Sequence, residues 1–223
     1  MTWALMAVGV LVGLGCAIPM TRWLNRRPYA YPGDSDTARY PTTWVWIALA
    51  VVVGLIAAGW WAASPTLTVV LVGYCGALIV LAAIDFDVHR LPNVITVPLI
   101  PLTAVGVVVA ALVDGDVAHL GRAALGALAL FGFYLLQTIV SRGRGMGLGD
   151  VKLAVSLGMI LAYLSWTHLI VSTLVTYLSA AMLGLYLIIF RGGNRRTEVA
   201  FGPHMVIGTV VVLCAPGVVA LIG

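Results

Sequence analysis

"GRGMGLGDVKLAVSLG", residues 143–158, runs a glycine-rich stretch into an apolar helix and places an aspartate, Asp150, and a lysine, Lys152, at the junction. A charge at the edge of so apolar a segment is costly unless it is paired, hydrated or used. The rest of the chain offers little else to pair it with: 62% of the 223 residues are hydrophobic and 9% are charged. That composition, with a mean hydropathy of +1.09, exceeds what a soluble domain can enclose. The stretch therefore opens a membrane helix, and the expected fold is all-α and polytopic.

Windows able to cross about 30 Å of hydrocarbon predict eight transmembrane helices. They fall at residues 3–20, 43–63, 66–84, 93–113, 120–140, 150–164, 167–190 and 201–222. The sixth is short, and only Ser165-Trp166 separates it from the seventh. The first resembles a signal peptide in its apolar core, but its basic residues follow the core and no small-x-small site is evident, so it is expected to stay as an anchor. No repeat, low-complexity tract or soluble domain interrupts the series. The expected organisation is one integral-membrane domain over 1–223 with a short loop at 21–42. Cys16, Cys75 and Cys214 lie in apolar runs without a C-x-x-C pair, so they are expected to be small buried hydrophobes, not disulfides or metal ligands.

Charge placement orients the bundle. Arg22, Arg26, Arg27 and Arg39 fall between helices one and two, Arg90 between three and four, Arg142 and Arg144 between five and six, and Arg191, Arg195 and Arg196 between seven and eight. The other loops carry almost no cations; Arg122 is the exception, on the side of Asp114 and Asp116. Basic loops stay inside, so the odd-numbered loops are expected in the cytoplasm and both termini outside. The net charge of +4 is explained by topology, with the bilayer as partner and no nucleic acid.

This orientation puts two acidic motifs at one boundary. In "AAIDFDVHRLPNVIT", residues 82–96, helix three ends in Asp85 and Asp87 and the chain turns through Leu91-Pro92-Asn93; the second motif is Gly147-Leu148-Gly149-Asp150 with Lys152. Two carboxylates meeting across a helix interface can share one proton, one activating water while the other protonates the carbonyl or the leaving amine. Gly147 and Gly149, lacking Cβ atoms, allow unusual backbone angles and close approach by a substrate strand or neighbouring helix. Lys152 suits either a nearby carboxylate or a carboxylate of the substrate. On spacing alone, the same aspartates also suit an ion or small-molecule carrier with a broken helix, or an assembly factor whose aspartates only hold helices together.

"IDFDVHRLPN" followed by "GLGDVKL" resembles the paired signature of the type IV prepilin peptidases, GxGD-type membrane aspartyl proteases. "RYP" at Arg39-Tyr40-Pro41 and "FGP" at Phe201-Gly202-Pro203 extend the resemblance from about residue 39 to the C-terminus. Four motifs in family order favour the protease over the carrier, whose related halves are not evident here. The resemblance implies Asp85 and Asp150 as the catalytic pair, with Gly147, Gly149, Lys152, Asp87, Pro92 and Asn93 in supporting or substrate-binding places. It implies cleavage of the basic leader from pilin or pseudopilin precursors at the cytoplasmic face of a bacterial plasma membrane. His89 is expected to be a solvated loop residue, Glu198 to balance Arg195 and Arg196, and Arg39 to meet headgroups.

Many members carry two C-x-x-C pairs between the first two helices and methylate the new N-terminus with S-adenosylmethionine. The loop "TRWLNRRPYAYPGDSDTARYPT" has no cysteine, so that zinc-stabilised subdomain is excluded in that form. Proteolysis is expected to need no metal or cofactor, S-adenosylmethionine being required only if methyl transfer is retained. His204 stands where the family more often has an aromatic residue, which predicts different packing on helix eight.

Overall fold

The computed structural model describes residues 1–30, 42–141, 147–190 and 200–222. The expected roles of Arg39-Tyr40-Pro41, half of the 21–42 loop, Arg142, Arg144, Arg191, Arg195, Arg196 and Glu198 lie outside the described residues. Those described fold into eight helices: α1 (Thr2–Arg26), α2 (Thr43–Trp60), α3 (Pro65–Val88), α4 (Asn93–Asp114), α5 (His119–Val140), α6 (Leu148–Leu164), α7 (Trp166–Phe190) and α8 (Gly202–Ile222). All except the 17-residue α6 are long and apolar enough to cross a membrane. The protein is an all-α, multi-pass membrane protein.

The helix ends follow from local chemistry. Ser64 caps α3 by accepting the Leu67 amide at 2.9 Å, with Pro65 next, where a missing N–H costs nothing. Its hydroxyl also bonds the Asp114 carboxylate, joining the start of α3 to the end of α4. Gly115, at φ 80°, ends α4 in the left-handed conformation that glycine adopts freely. Extended backbone at Ser165, φ −171° and ψ 162°, separates α6 from α7, and its Oγ then accepts the His168 amide at 3.1 Å. The short break is thus an N-cap, and the two helices are distinct.

Two helices run further than hydropathy suggests. α1 continues through Thr21 and Leu24, both buried, to Arg26, and α3 carries Asp85 and Asp87 inside its last turn before closing at His89. Hydropathy windows stop where polarity begins, whereas backbone hydrogen bonding continues.

α3 is the most enclosed span and α7 the least. α1 packs along α2, α5 along α6, and α7 along α8, while α2 also meets α3 and α8, and α4 lies on α6. At the α5–α6 crossing Gly126 faces Gly158, the small-residue contact that lets membrane helices approach closely. Large apolar side chains such as Leu102, Leu125, Leu174 and Leu185 project outward, as a lipid-facing surface requires. One cysteine corrects the sequence expectation: Cys75 and Cys214 are buried, but Cys16 lies exposed because α1 turns only its Gly9, Gly13, Ala17 face inward.

The end of α3 and the starts of α4, α6 and α8 gather at one end of the bundle. Arg122 belongs to the opposite end. Its guanidinium donates to the carbonyls of Ala162 (2.5 Å), Tyr163 (2.6 Å) and Leu164 (3.0 Å), the last turn of α6. A cation there complements both the unpaired carbonyls and the helix dipole, so this departure from the charge pattern has a structural cause.

Candidate active site

Three helix ends build the site. Asp85 comes from the last turn of α3 and Asp150 from the third position of α6; both are buried. The Asp150 carboxylate reaches back to accept the Gly147 amide at 3.0 Å, half of a capping box whose other half glycine cannot supply. Asp85 accepts from the backbone N–H of Gly202, the first residue of α8, and stands in electrostatic range of Asp150. The two carboxylates converge on Gly202: a Cβ there would lie 2.6 Å from Asp85 Oδ2 and 3.5 Å from Asp150 Oδ1. Each carboxylate thus takes an amide from a helix N-terminus, where free N–H groups and the dipole favour negative charge.

The glycines divide their roles differently from the sequence expectation. Gly147 has φ −83°, a conformation open to any residue, and Gly149 lies within the helix; neither takes an unusual angle. Gly149 serves close approach instead. Its missing Cβ would meet Leu91 Cβ at 2.9 Å, so the turn between α3 and α4 rests directly on the start of α6.

The remaining candidates fall around this pair. Pro92 is the N-cap of α4, and its carbonyl accepts the amides of Ile95 (3.0 Å) and Thr96 (3.1 Å). Asn93 begins α4, and its Oδ1 accepts from Lys152 Nζ at 2.8 Å, so the lysine reaches this amide and not a carboxylate of the pair. Asp87 is held away from the pair by Arg27, whose Nε donates to Oδ2 at 2.8 Å, and by the Tyr29 hydroxyl at 3.0 Å. Burial, then Asp87, pushes the Tyr29 hydroxyl up to about 12, so it stays a donor at neutral pH. His89 is exposed at the end of α3 with φ 51°.

Some of the surroundings were not flagged by sequence. Phe133 and Tyr134 of α5, Tyr177 of α7 and Phe201 before α8 form a ring cluster with centroids 5.4–6.3 Å apart. The Tyr177 hydroxyl donates to Gln137 Oε1 at 2.5 Å, and Tyr134 lies in electrostatic range of Asp150. In an apolar helix such aromatics look like ordinary core, so only their shared position gives them away. Gly202 carried a signal within "FGP", but its contact with Asp85 did not. His204 is buried with Nδ1 3.0 Å from Ser179 Oγ, a polar α7–α8 tie. Among the described residues no three His, Cys, Asp or Glu side chains form a metal-sized group.

The fold is that of a multi-pass helical membrane protein with a buried carboxylate pair at one end of the bundle. The model of the Type IV leader peptidase family matches residues 72–189, just over half of the chain and inclusive of both aspartates. The chain belongs to the Type IV leader peptidase family. It is similar to the prepilin leader peptidase/N-methyltransferase of Aeromonas hydrophila, 33% identical over 197 residues, covering 85% of this chain and 63% of that protein. Proteins of the same name from Pseudomonas aeruginosa (32% over 130 residues; 58% and 43% covered) and Legionella pneumophila (33% over 145 residues; 65% and 46%) are also similar. The chain thus spans less than two thirds of the length of these relatives. No solved structure matches. These relationships lend no support to a carrier.

Proposed function

We propose that this chain is an aspartic endopeptidase that removes the basic leader from type IV pilin-like precursors at the cytoplasmic boundary of a bacterial plasma membrane, with both of its termini outside. The carrying observation is the convergence of Asp85 and Asp150 on Gly202. Their shared boundary suits a precursor whose apolar helix lies in the bilayer and whose basic leader stays in the cytoplasm. The whole chain acts as one domain, and the names borne by its relatives support the substrate class.

In the mechanism, one proton is shared by the two carboxylates, which repel each other when both are charged. The ionised member takes a proton from water as its oxygen attacks the scissile carbonyl carbon; the protonated member donates to the carbonyl oxygen. Collapse of the tetrahedral diol breaks the C–N bond, with a proton passing to the leaving nitrogen. The products are a leader ending in a carboxylate and a mature helix beginning with an amine. The peptide must unwind to be cut, and a site at the membrane boundary can offer polar partners to its freed groups. No metal or cofactor takes part in this hydrolysis.

The test is a purified reaction with precursors encoded nearby. Asp85→Asn or Asp150→Asn should each abolish cleavage, about a thousandfold or more, in a protein that still inserts and folds, because shape is kept while the shared proton is lost. Near-normal cleavage by either variant would overturn the assignment. Supplied with S-adenosylmethionine, the wild-type reaction should yield a mature product with a free N-terminal amine by mass spectrometry. An added methyl group would overturn that part alone.

A further inference from the structure

We infer that Lys152 and Asn93 form a latch that sets the spacing of Asp85 and Asp150, a positioning role that rests on the carboxylate pair proposed above. α3 and α6, which carry the aspartates, scarcely pack against each other backbone to backbone. A side-chain tie between them, the Tyr74 hydroxyl to Ser156 Oγ at 3.1 Å, lies about three helical turns along α3 from Asp85. Their relative placement is therefore transmitted by the helices that pack on both, α8 through Gly202 and α4, of which α4 lies far more extensively along α6.

At the site end, the turn into α4 and the first residue of α4 touch the start of α6 at Leu91 and Asn93. Leu91 abuts Gly149, one residue before Asp150, with no room for a Cβ, and Asn93 Oδ1 accepts from Lys152 Nζ at 2.8 Å. The first fixes how near the turn comes; the second prevents it from sliding along α6. The turn is stiff enough to transmit that constraint. Pro92 has its φ locked by its ring, and its carbonyl takes two amides and the Thr96 hydroxyl, the latter at 3.2 Å.

An exposed hydrogen bond of this sort contributes little to overall stability. Its leverage lies in geometry, since displacing a catalytic group by about 1 Å can cost roughly a hundredfold in rate. Lys152 also faces outward, so an alternative occupant for its ammonium is a carboxylate of the substrate. The two roles separate in kinetics: a latch acts on turnover and needs Asn93, whereas a substrate contact acts on binding and does not.

The experiment is a double-mutant cycle on the full chain in lipid nanodiscs, using a reporter with a basic leader joined through glycine to an apolar helix. Lys152→Met and Asn93→Ala should each lower kcat about tenfold with KM within about twofold, and the double variant should be no worse than either single. Asn93→Asp, which keeps an acceptor in place, should restore near-wild-type turnover. A KM rise in Lys152→Met with Asn93→Ala unaffected would overturn the latch, as would losses that multiply in the double variant. If the apolar replacements fail to insert, Lys152→Gln and Asn93→Ser carry the same cycle. Failure of the wild type to cut the reporter, or cutting by Asp85→Asn, would instead sink the catalytic pair itself.

Discussion

At the scale of single residues, the site depends as much on absent atoms as on present ones. A methyl group on Gly202 would stand 2.6 Å from Asp85 Oδ2, so Gly202→Ala must displace a carboxylate. At Gly147 the same methyl meets nothing closer than 3.8 Å, and the backbone there is ordinary. We therefore expect Gly202→Ala to lower kcat about 10- to 100-fold with the fold intact, and Gly147→Ala to have a far smaller effect. Steady-state kinetics beside a thermal melt would check both; equal losses at the two positions would refute the placement of Gly202 between the carboxylates. The aspartates themselves were legible in sequence because a charge in an apolar setting demands a reason. The role of Gly202, flagged only as part of "FGP", was not, because it lies in a contact with a residue more than a hundred positions earlier. The same holds for Lys152, whose charge stood out while its partner, Asn93, depended on how two helices meet.

At the scale of elements, hydropathy located all eight helices, since crossing hydrocarbon imposes a length and a composition that sequence cannot disguise. What it missed was the polar continuation of α1 to Arg26 and of α3 to Val88, where buried Leu24 and the Arg27–Asp87 pair hold helix beyond the apolar limit. The short α6 is maintained differently, by helix-end chemistry at both termini: Asp150 on the Gly147 amide and Arg122 on three carbonyls. Removing the second cap should loosen α6 at the end away from the carboxylates. Arg122→Gln should therefore cost about 2 kcal/mol, since hydrogen bonds to charged groups are individually worth about 1.5–3 kcal/mol. For a chain of this size that corresponds to a fall of roughly 4–8 °C in Tm. Activity per folded molecule should stay near wild type. An unchanged melt in nanodiscs would show that the guanidinium adds nothing to α6.

At the scale of the whole molecule, the fold assigns its charges to ends. Arg26, Arg27, Arg90 and Lys152 lie at the end that holds the carboxylate pair, while Asp114 and Asp116 lie at the other, with Arg122 already committed to capping. The charge asymmetry was readable from loops alone; the structure adds that the apparent exception is a cap and that both acidic motifs reach one boundary. If cations stay inside, the carboxylate end faces the cytoplasm, where a basic leader would also be retained. Single cysteines introduced near Arg90 and Arg144, in a chain whose Cys16, Cys75 and Cys214 have been replaced, should react with a membrane-impermeant maleimide only from the cytoplasmic side. One near Asp114 should react only from the opposite side. Labelling of the Arg90 and Arg144 positions from different faces would separate the two aspartates and end the mechanism. Labelling of both from outside would leave the pair intact but turn it away from the leader, so the substrate, not the chemistry, would have to be abandoned.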